Sequence, residues 1–267
     1  MLIYQYFVFS PIPLLPYLCR MEAFFNISLP TNWQQLSDRQ LQYFFHLLSK
    51  DIPMEEILTL CLFKWANISV CCRFKGNTLI KHTKQEAWLS TRQIQSATAT
   101  LDFLKSFPPF PTRITKIDKA QAIAADFQQI PFSTFIAVDN YYQGFLHTKN
   151  INILKGAAPL LYPKIKQRKL TTAHLFAIFY WIASLKQYLA SQFRHFLTSS
   201  PIEPTNLLGD SPNTAEEVKN AMNAQIRALT GGDITKESAV LAMDTWRALT
   251  ELDAKAKEVE DFKRQKL

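Results

Sequence analysis

The sequence predicts a mainly α-helical chain of the α+β type. A helical domain holds one small β-hairpin, and a C-terminal helical hairpin follows it. Three observations predict this. Apolar residues recur at steps of three and four through most of the chain. Glycine is scarce, 6 residues in 267, whereas Leu, Ala, Gln and Lys, all good helix formers, abound. One short run of β-formers, ISVCCRF, leads into the turn residues Lys75, Gly76 and Asn77.

Two helix starts are written almost identically. LSDRQLQ occupies residues 36 to 42 and LSTRQIQ residues 89 to 95, and Trp33 and Trp88 stand just ahead of them. Ser37 with Gln40, and Ser90 with Gln93, each fit a capping box. In that motif the serine oxygen accepts from the third helical N–H and the glutamine reaches back to the cap. Leu36 and Leu89 stand where a hydrophobic staple belongs. After Ser37 the apolar positions are Leu41, Phe44, Phe45, Leu47 and Leu48. After Ser90 they are Ile94, Ala97, Leu101, Phe103 and Leu104. The likeness fades after seven residues, so it reads as one capping chemistry used twice and not as a duplicated domain.

The remaining elements follow in order. DIPMEEILTLCLFKWA reads as a helix, with Pro53 in its first turn and Glu55 and Glu56 at its favourable end. The hairpin is expected near residues 68 to 88. FPPFPTR, residues 107 to 113, reads as a buried crossing loop. KAQAIAADFQQI reads as a helix ended by Pro131. A further helix is expected from Ser133 or Thr134 to Tyr142, with Gly144 near its end. Capped by Thr171 or Thr172, TTAHLFAIFYWIASLKQYLASQFRHFL is apolar on nearly all faces and reads as the central core helix. His174, Ser184 and Lys186 leave too short an apolar run to span a membrane. TSSPIEPTNLLGDSPN, residues 198 to 213, reads as a linker. Beyond it, Thr214 and Glu217 form another capping box, and Gly231-Gly232 ends that helix. A last helix is expected from near Thr235 to Lys263, supported by Glu251–Lys255 and Glu260–Arg264 pairs.

The first twenty residues, MLIYQYFVFSPIPLLPYLCR, are apolar and uncharged until Arg20. They lack the basic start and the small-residue cleavage site of a signal peptide, and Pro11, Pro13 and Pro16 break any helix. The expectation is that Met21 initiates the protein and residues 1 to 20 are an upstream extension, the competing reading being a hydrophobic N-terminal anchor, and that the helical domain covers 21 to 197.

The net charge is +8. Residues 214 to 267 hold 9 Lys/Arg and 10 Asp/Glu, against 30 and 22 in the whole chain, so the rest carries +9. A basic body can meet nucleic acid. Its densest run is KIKQRK, residues 164 to 169, so Lys164, Lys166, Arg168 and Lys169 are the candidate nucleic-acid contacts. The four cysteines form no C-x-x-C pair, so no metal site and no cofactor is predicted. Cys71 and Cys72 read as small strand residues. Free thiols fit a reducing cytoplasm. His46, His82, His147, His174 and His195 each stand alone. No G-x-x-x-x-G-K, G-x-S-x-G or H-E-x-x-H motif occurs, so no catalytic residue is assigned and no enzymatic activity is expected.

SLPTNWQQLSDRQLQYFFHLL carries a Leu-Pro-x-x-Trp-x-x-Leu-x-x-x-Gln pattern at Leu29, Pro30, Trp33, Leu36 and Gln40. In this it resembles the opening of uncharacterised phage and prophage proteins of gut bacteria. The tail, TKESAVLAMDTWRALTELDAKAKEVE, is similar to the helical C-terminal parts of phage tail proteins and tail assembly chaperones. The resemblance implies a non-enzymatic assembly or interaction protein, whose amphipathic C-terminal helix lies against a protein partner, a phage structural protein or a second copy. Trp246, Leu249, Leu252 and Val259 are then the expected partner-binding residues; the competing placement, equally open, is that the hairpin folds back on its own domain. The alternative is a basic nucleic-acid-binding accessory protein of a mobile element, using the 164 to 169 run.

Overall fold

A computed structural model describes residues 28–197 and 215–265. The expectations for residues 1 to 20 and Met21, for the 198 to 213 linker and for the cap at Thr214 fall outside the described residues. In chain order the elements are α1 (Asp38–Leu48), α2 (Met54–Trp65), β1 (Ile68–Phe74), β2 (Asn77–His82), β3 (Gln85–Ser90), α3 (Thr91–Thr98), β4 (Lys116–Ile117), β5 (Ala120–Gln121), α4 (Phe132–Thr148), α5 (Ala158–Leu161), α6 (Thr172–Gln192), α7 (Arg194–Leu197), α8 (Ala215–Thr230), α9 (Glu237–Ala242) and α10 (Thr245–Gln265). The chain is mainly α with some β. Among the described residues, no helix is long and apolar enough to cross a membrane.

The chain divides into two compact units. Among the described residues the first comprises 28 to 31 and 58 to 103, and the second comprises Asn32–Ile57 and the chain from Leu104 onward.

In the first unit the β-formers build three antiparallel strands in the order β1-β2-β3, not the single hairpin expected over 68 to 88. The extra turn lies at Thr83-Lys84, where Thr83 takes a φ of +54°. It carries no glycine or asparagine, so the usual signal for a second hairpin turn is missing. β2 is central, with Ile80 fully buried and Thr78 nearly so on one face. β1 is an edge strand, exposed along all but its first residue. At the end of β3 the chain enters α3 through the predicted box: Ser90 Oγ accepts from Gln93 N, and Gln93 Oε1 accepts from Ser90 N at 2.8 Å. Leu89 and Ile94, the staple positions, are both buried.

The second unit is organised around α6. Leu175, Ala177, Ile178, Trp181, Ile182, Leu185 and Leu189 are all buried, as a helix apolar on nearly every face requires. Its start is a capping box of Thr171 with His174. α1 packs on α6 and begins at the Ser37–Gln40 box, which is likewise complete. Tyr180 sits among the rings of Phe107, Phe45, Trp33 and Phe44, with centroids 4.6 to 6.2 Å away. Such edge and offset contacts add to the burial energy. The FPPFPTR segment lies along α6, where Thr112 N donates to Ser184 Oγ and Phe110 stays 48% exposed. His46 is exposed.

Several helix expectations change, and the helix expected over 171 to 197 breaks at Phe193 into α6 and α7. KAQAIAADFQQI is not helical: it holds β5 and an irregular run. Its backbone is used tertiarily instead, with Ala122 N donating to Thr115 O at 2.9 Å and Ile123 N to Leu161 O at 3.0 Å. Tertiary hydrogen bonds override a helix propensity of only tenths of a kcal/mol per residue (roughly 0–0.7). α4 continues past Gly144 to Thr148 and ends where Lys149 adopts a left-handed φ of +55°. The helix expected over 235 to 263 is broken into α9 and α10. At the break Met243 O accepts from Phe132 N at 2.8 Å, and buried Thr245 donates its N–H and hydroxyl to Ile130 O at 2.8 and 2.7 Å. Asp244 Oδ1 caps α10 by accepting from Arg247 N. Gly231 and Gly232, both at positive φ, end α8 as expected.

Candidate anion-binding site

The basic run at 164 to 169 acquires its geometry from a proline and a tyrosine. Tyr162 is 1% exposed; its ring meets Trp181 edge-on at 5.8 Å, and its hydroxyl donates to Ile114 O at 2.8 Å. From this anchor the chain reverses through Tyr162-Pro163-Lys164-Ile165, closed by Ile165 N donating to Tyr162 O at 3.1 Å. Lys164 has a φ of +70°. Proline followed by a positive φ is the pattern of a type II turn, which favours Gly or Asn where Lys164 stands. A lysine there costs about 1–2 kcal/mol. Residues held in such conformations concentrate at functional sites. A 3₁₀ turn at Gln167–Lys169 follows, with Lys169 N donating to Lys166 O at 2.8 Å.

The β4–β5 ribbon faces this turn. It reverses at Asp118-Lys119, with Asp118 at a φ of +53°. Asp and Asn tolerate that conformation best among non-glycine residues. The same Ile114 that accepts the Tyr162 hydroxyl leads into β4, so one buried hydrogen bond ties the two segments together. Between them lies a cleft of about 250 Å³, lined by Lys119, Lys164, Lys166 and Lys169 with Asp118 as the one carboxylate. Ile117 and Ala120, both buried, and half-buried Ile165 complete the lining.

Three of the four basic residues expected to act together, Lys164, Lys166 and Lys169, therefore do meet in one cleft. Arg168 is exposed and does not line it. Lys119 is the residue that sequence reasoning missed. It lies 45 positions before Lys164, inside a stretch that reads as helix, and no local signal marks it. Chemically, four lysines lining one cleft can hold a phosphate or carboxylate by point charge, each ammonium with three rotatable donors. No nucleophile–base pair accompanies them. Among the described residues, no group of three or more His, Cys, Asp or Glu stands close enough together to hold a metal ion.

The expected partner-binding helix is differently placed. Leu249 and Leu252 are 0% and 3% exposed, packed within the second unit. Trp246 donates its indole N–H to Asp126 O at 2.7 Å and packs against Phe193 and Tyr188, at 5.4 and 6.1 Å. Further along α10, Asp253 accepts from Phe196 N at 2.9 Å and Glu260 meets His195 at 3.1 Å, so α7 lies on the middle of the helix. Of the four residues only Val259 faces outward, at 53% exposure, with Phe262 one turn on at 58%.

Other shifted groups are structural. Burial pushes the Cys61 thiol up to about 12 and the Tyr180 hydroxyl up to about 12, and it raises Tyr142 and Tyr162 further. The half-buried ion pair of Lys186 with Asp139 joins α4 to α6, with the ammonium over the Tyr142 ring.

The chain matches no family model, and comparison with curated proteins and with solved structures finds no match.

Proposed function

We propose that the chain is a binding protein whose second unit contacts a polyanion, nucleic acid above all, through the lysine cleft. One observation carries this reading: Lys119 converges with Lys164, Lys166 and Lys169 from a distant segment, and the turn that presents them holds a lysine where glycine is preferred. The contact is electrostatic and indifferent to base sequence, because lysines are point charges and no aromatic side chain lines the cleft for stacking. The test is duplex DNA binding by the full chain across a salt series. Four phosphate contacts give a slope of log K against log salt of about −3.6, and Lys119→Ala lowers its magnitude by about one. Binding that ignores both salt and Lys119 would sink this reading.

A second reading is favoured by the outer turns of α10. Val259 and Phe262 are exposed three residues apart on a helix whose inner face is already used. A helix-mediated contact with a phage structural protein, the role that the resemblance implies, would rest on these two residues and not on Leu249 and Leu252. Its test is cofractionation with assembling phage tails in an infected host. Val259→Asp abolishes it, without loss of thermal stability, if this reading holds.

A further inference from the structure

We infer that Cys71 and Cys72 form a dithiol site for a soft monovalent cation of the copper(I) class. Neighbouring residues of a regular strand point to opposite faces of its sheet. These two do not. Val70 pairs with Ile80, and the next pairing of β1 is Cys72 with Leu79, so Cys71 is the extra residue of a β-bulge. Ile80 lies on the buried face of β2. Counted forward from Val70, opposite Ile80, Cys71 falls on the outer face. Counted back from Arg73, opposite buried Thr78, Cys72 falls there too. Bulges re-aim side chains in this way. Both cysteines are exposed and neither is in a disulfide.

The consequence is two thiols on adjacent residues, about 3.8 Å apart at Cα, presented together on an open sheet face. Leu79 lies opposite Cys72, and Trp88 opposite Leu79, on that face. Zinc takes four ligands in a tetrahedron, and no third His, Cys, Asp or Glu of the described residues stands with the pair. Two thiolates alone suit a soft, low-coordinate cation. Binding is a ligand exchange without electron transfer: copper(I) and two cysteine thiols give a bis-thiolate copper(I) complex and two protons, which pass to the buffer. Buried Cys61, its thiol pushed up by desolvation, takes no part.

The experiment uses the full chain carrying Cys19→Ser, so that the pair is read against buried Cys61 alone. Copper(I) is supplied as its bicinchoninate complex, and transfer to the protein is followed by loss of that complex's colour. One copper per chain is expected, with affinity falling on the order of 10²-fold or more in Cys71→Ser and in Cys72→Ser alike, because either change converts a two-point attachment into a single one. Circular dichroism checks that the exposed substitutions leave the fold intact. Retention of copper by either single variant overturns the inference. So does copper-dependent dimerisation on size exclusion, which would mean that each ion bridges two chains.

Discussion

Trp181 and Trp246 hold consecutive peptide units of the same strand of chain. The indole N–H of Trp181 donates to Ala125 O at 2.8 Å, and that of Trp246 donates to Asp126 O at 2.7 Å. One tryptophan comes from the central helix α6 and the other from the first turn of α10. The irregular segment before α4 is thereby pinned from two sides. The C-terminal helices belong to the same packed body as α6, because their indole supplies a hydrogen bond that this segment's backbone does not make to itself.

Trp246 and Leu249 are accordingly expected to act on stability. Trp246→Phe removes the donor to Asp126 O and costs about 1–3 kcal/mol. Leu249→Ala, at a fully buried position, costs about 2–5 kcal/mol. Urea unfolding of each variant measures both. Variants as stable as the parent would mean that these side chains are not packed in solution.

Lys164 separates stability from binding. Lys164→Gly removes a left-handed strain of about 1–2 kcal/mol at an entropic cost of about 0.5–1 kcal/mol. The expected result is a chain equally or slightly more stable, with its midpoint in urea unchanged or raised. Its DNA affinity falls, and its salt slope loses about one of its four units. A variant that loses stability would show that the turn does not hold Lys164 at positive φ.

Stability should fall at both ends of the pH scale. Cys61 and Tyr180 titrate higher in the folded chain than in the unfolded one, because burial disfavours their anions. Their contribution is whole below about 9 and about 10, the unfolded values, and disappears as pH rises towards about 12. His174 moves the other way. Desolvation lowers it, and its Nδ1 accepts from Thr171 N to complete the cap of α6. Protonation of Nδ1 breaks that bond, so stability declines as pH falls below about 6.5. Melting temperatures across the pH range test both limbs, and His174→Gln should flatten the acid one.

Gly156 is required by a neighbour and not by its backbone angles. Its φ is an ordinary −70°, but a β-carbon there would overlap the Tyr141 ring. Gly156→Ala should cost about 1–3 kcal/mol through overpacking. Tyr141→Ala in the same chain should recover most of that loss. A double variant no better than the single one would place the strain elsewhere.

Local chemistry wrote the helix starts. Ser37 with Gln40 and Ser90 with Gln93 close their capping boxes as the spacing predicts, because a cap is settled within four residues. The core character of α6 was equally legible, since a helix apolar on all faces has nowhere else to go. The segment at 119 to 130 was not legible. Its residues favour helix locally, but two of its carbonyls are claimed by Trp181 and Trp246, which stand 56 and 120 positions away. The break at Asp244 had a weak local sign, an aspartate able to cap α10, beneath an apolar stripe that runs straight through it. In the candidate site, the sequence alone marked Lys164, Lys166 and Lys169 as a cluster. Only the tertiary structure brought Lys119 to them and turned Leu249 and Leu252 inward, because contacts between distant segments depend on how the whole chain packs and leave no period in the sequence.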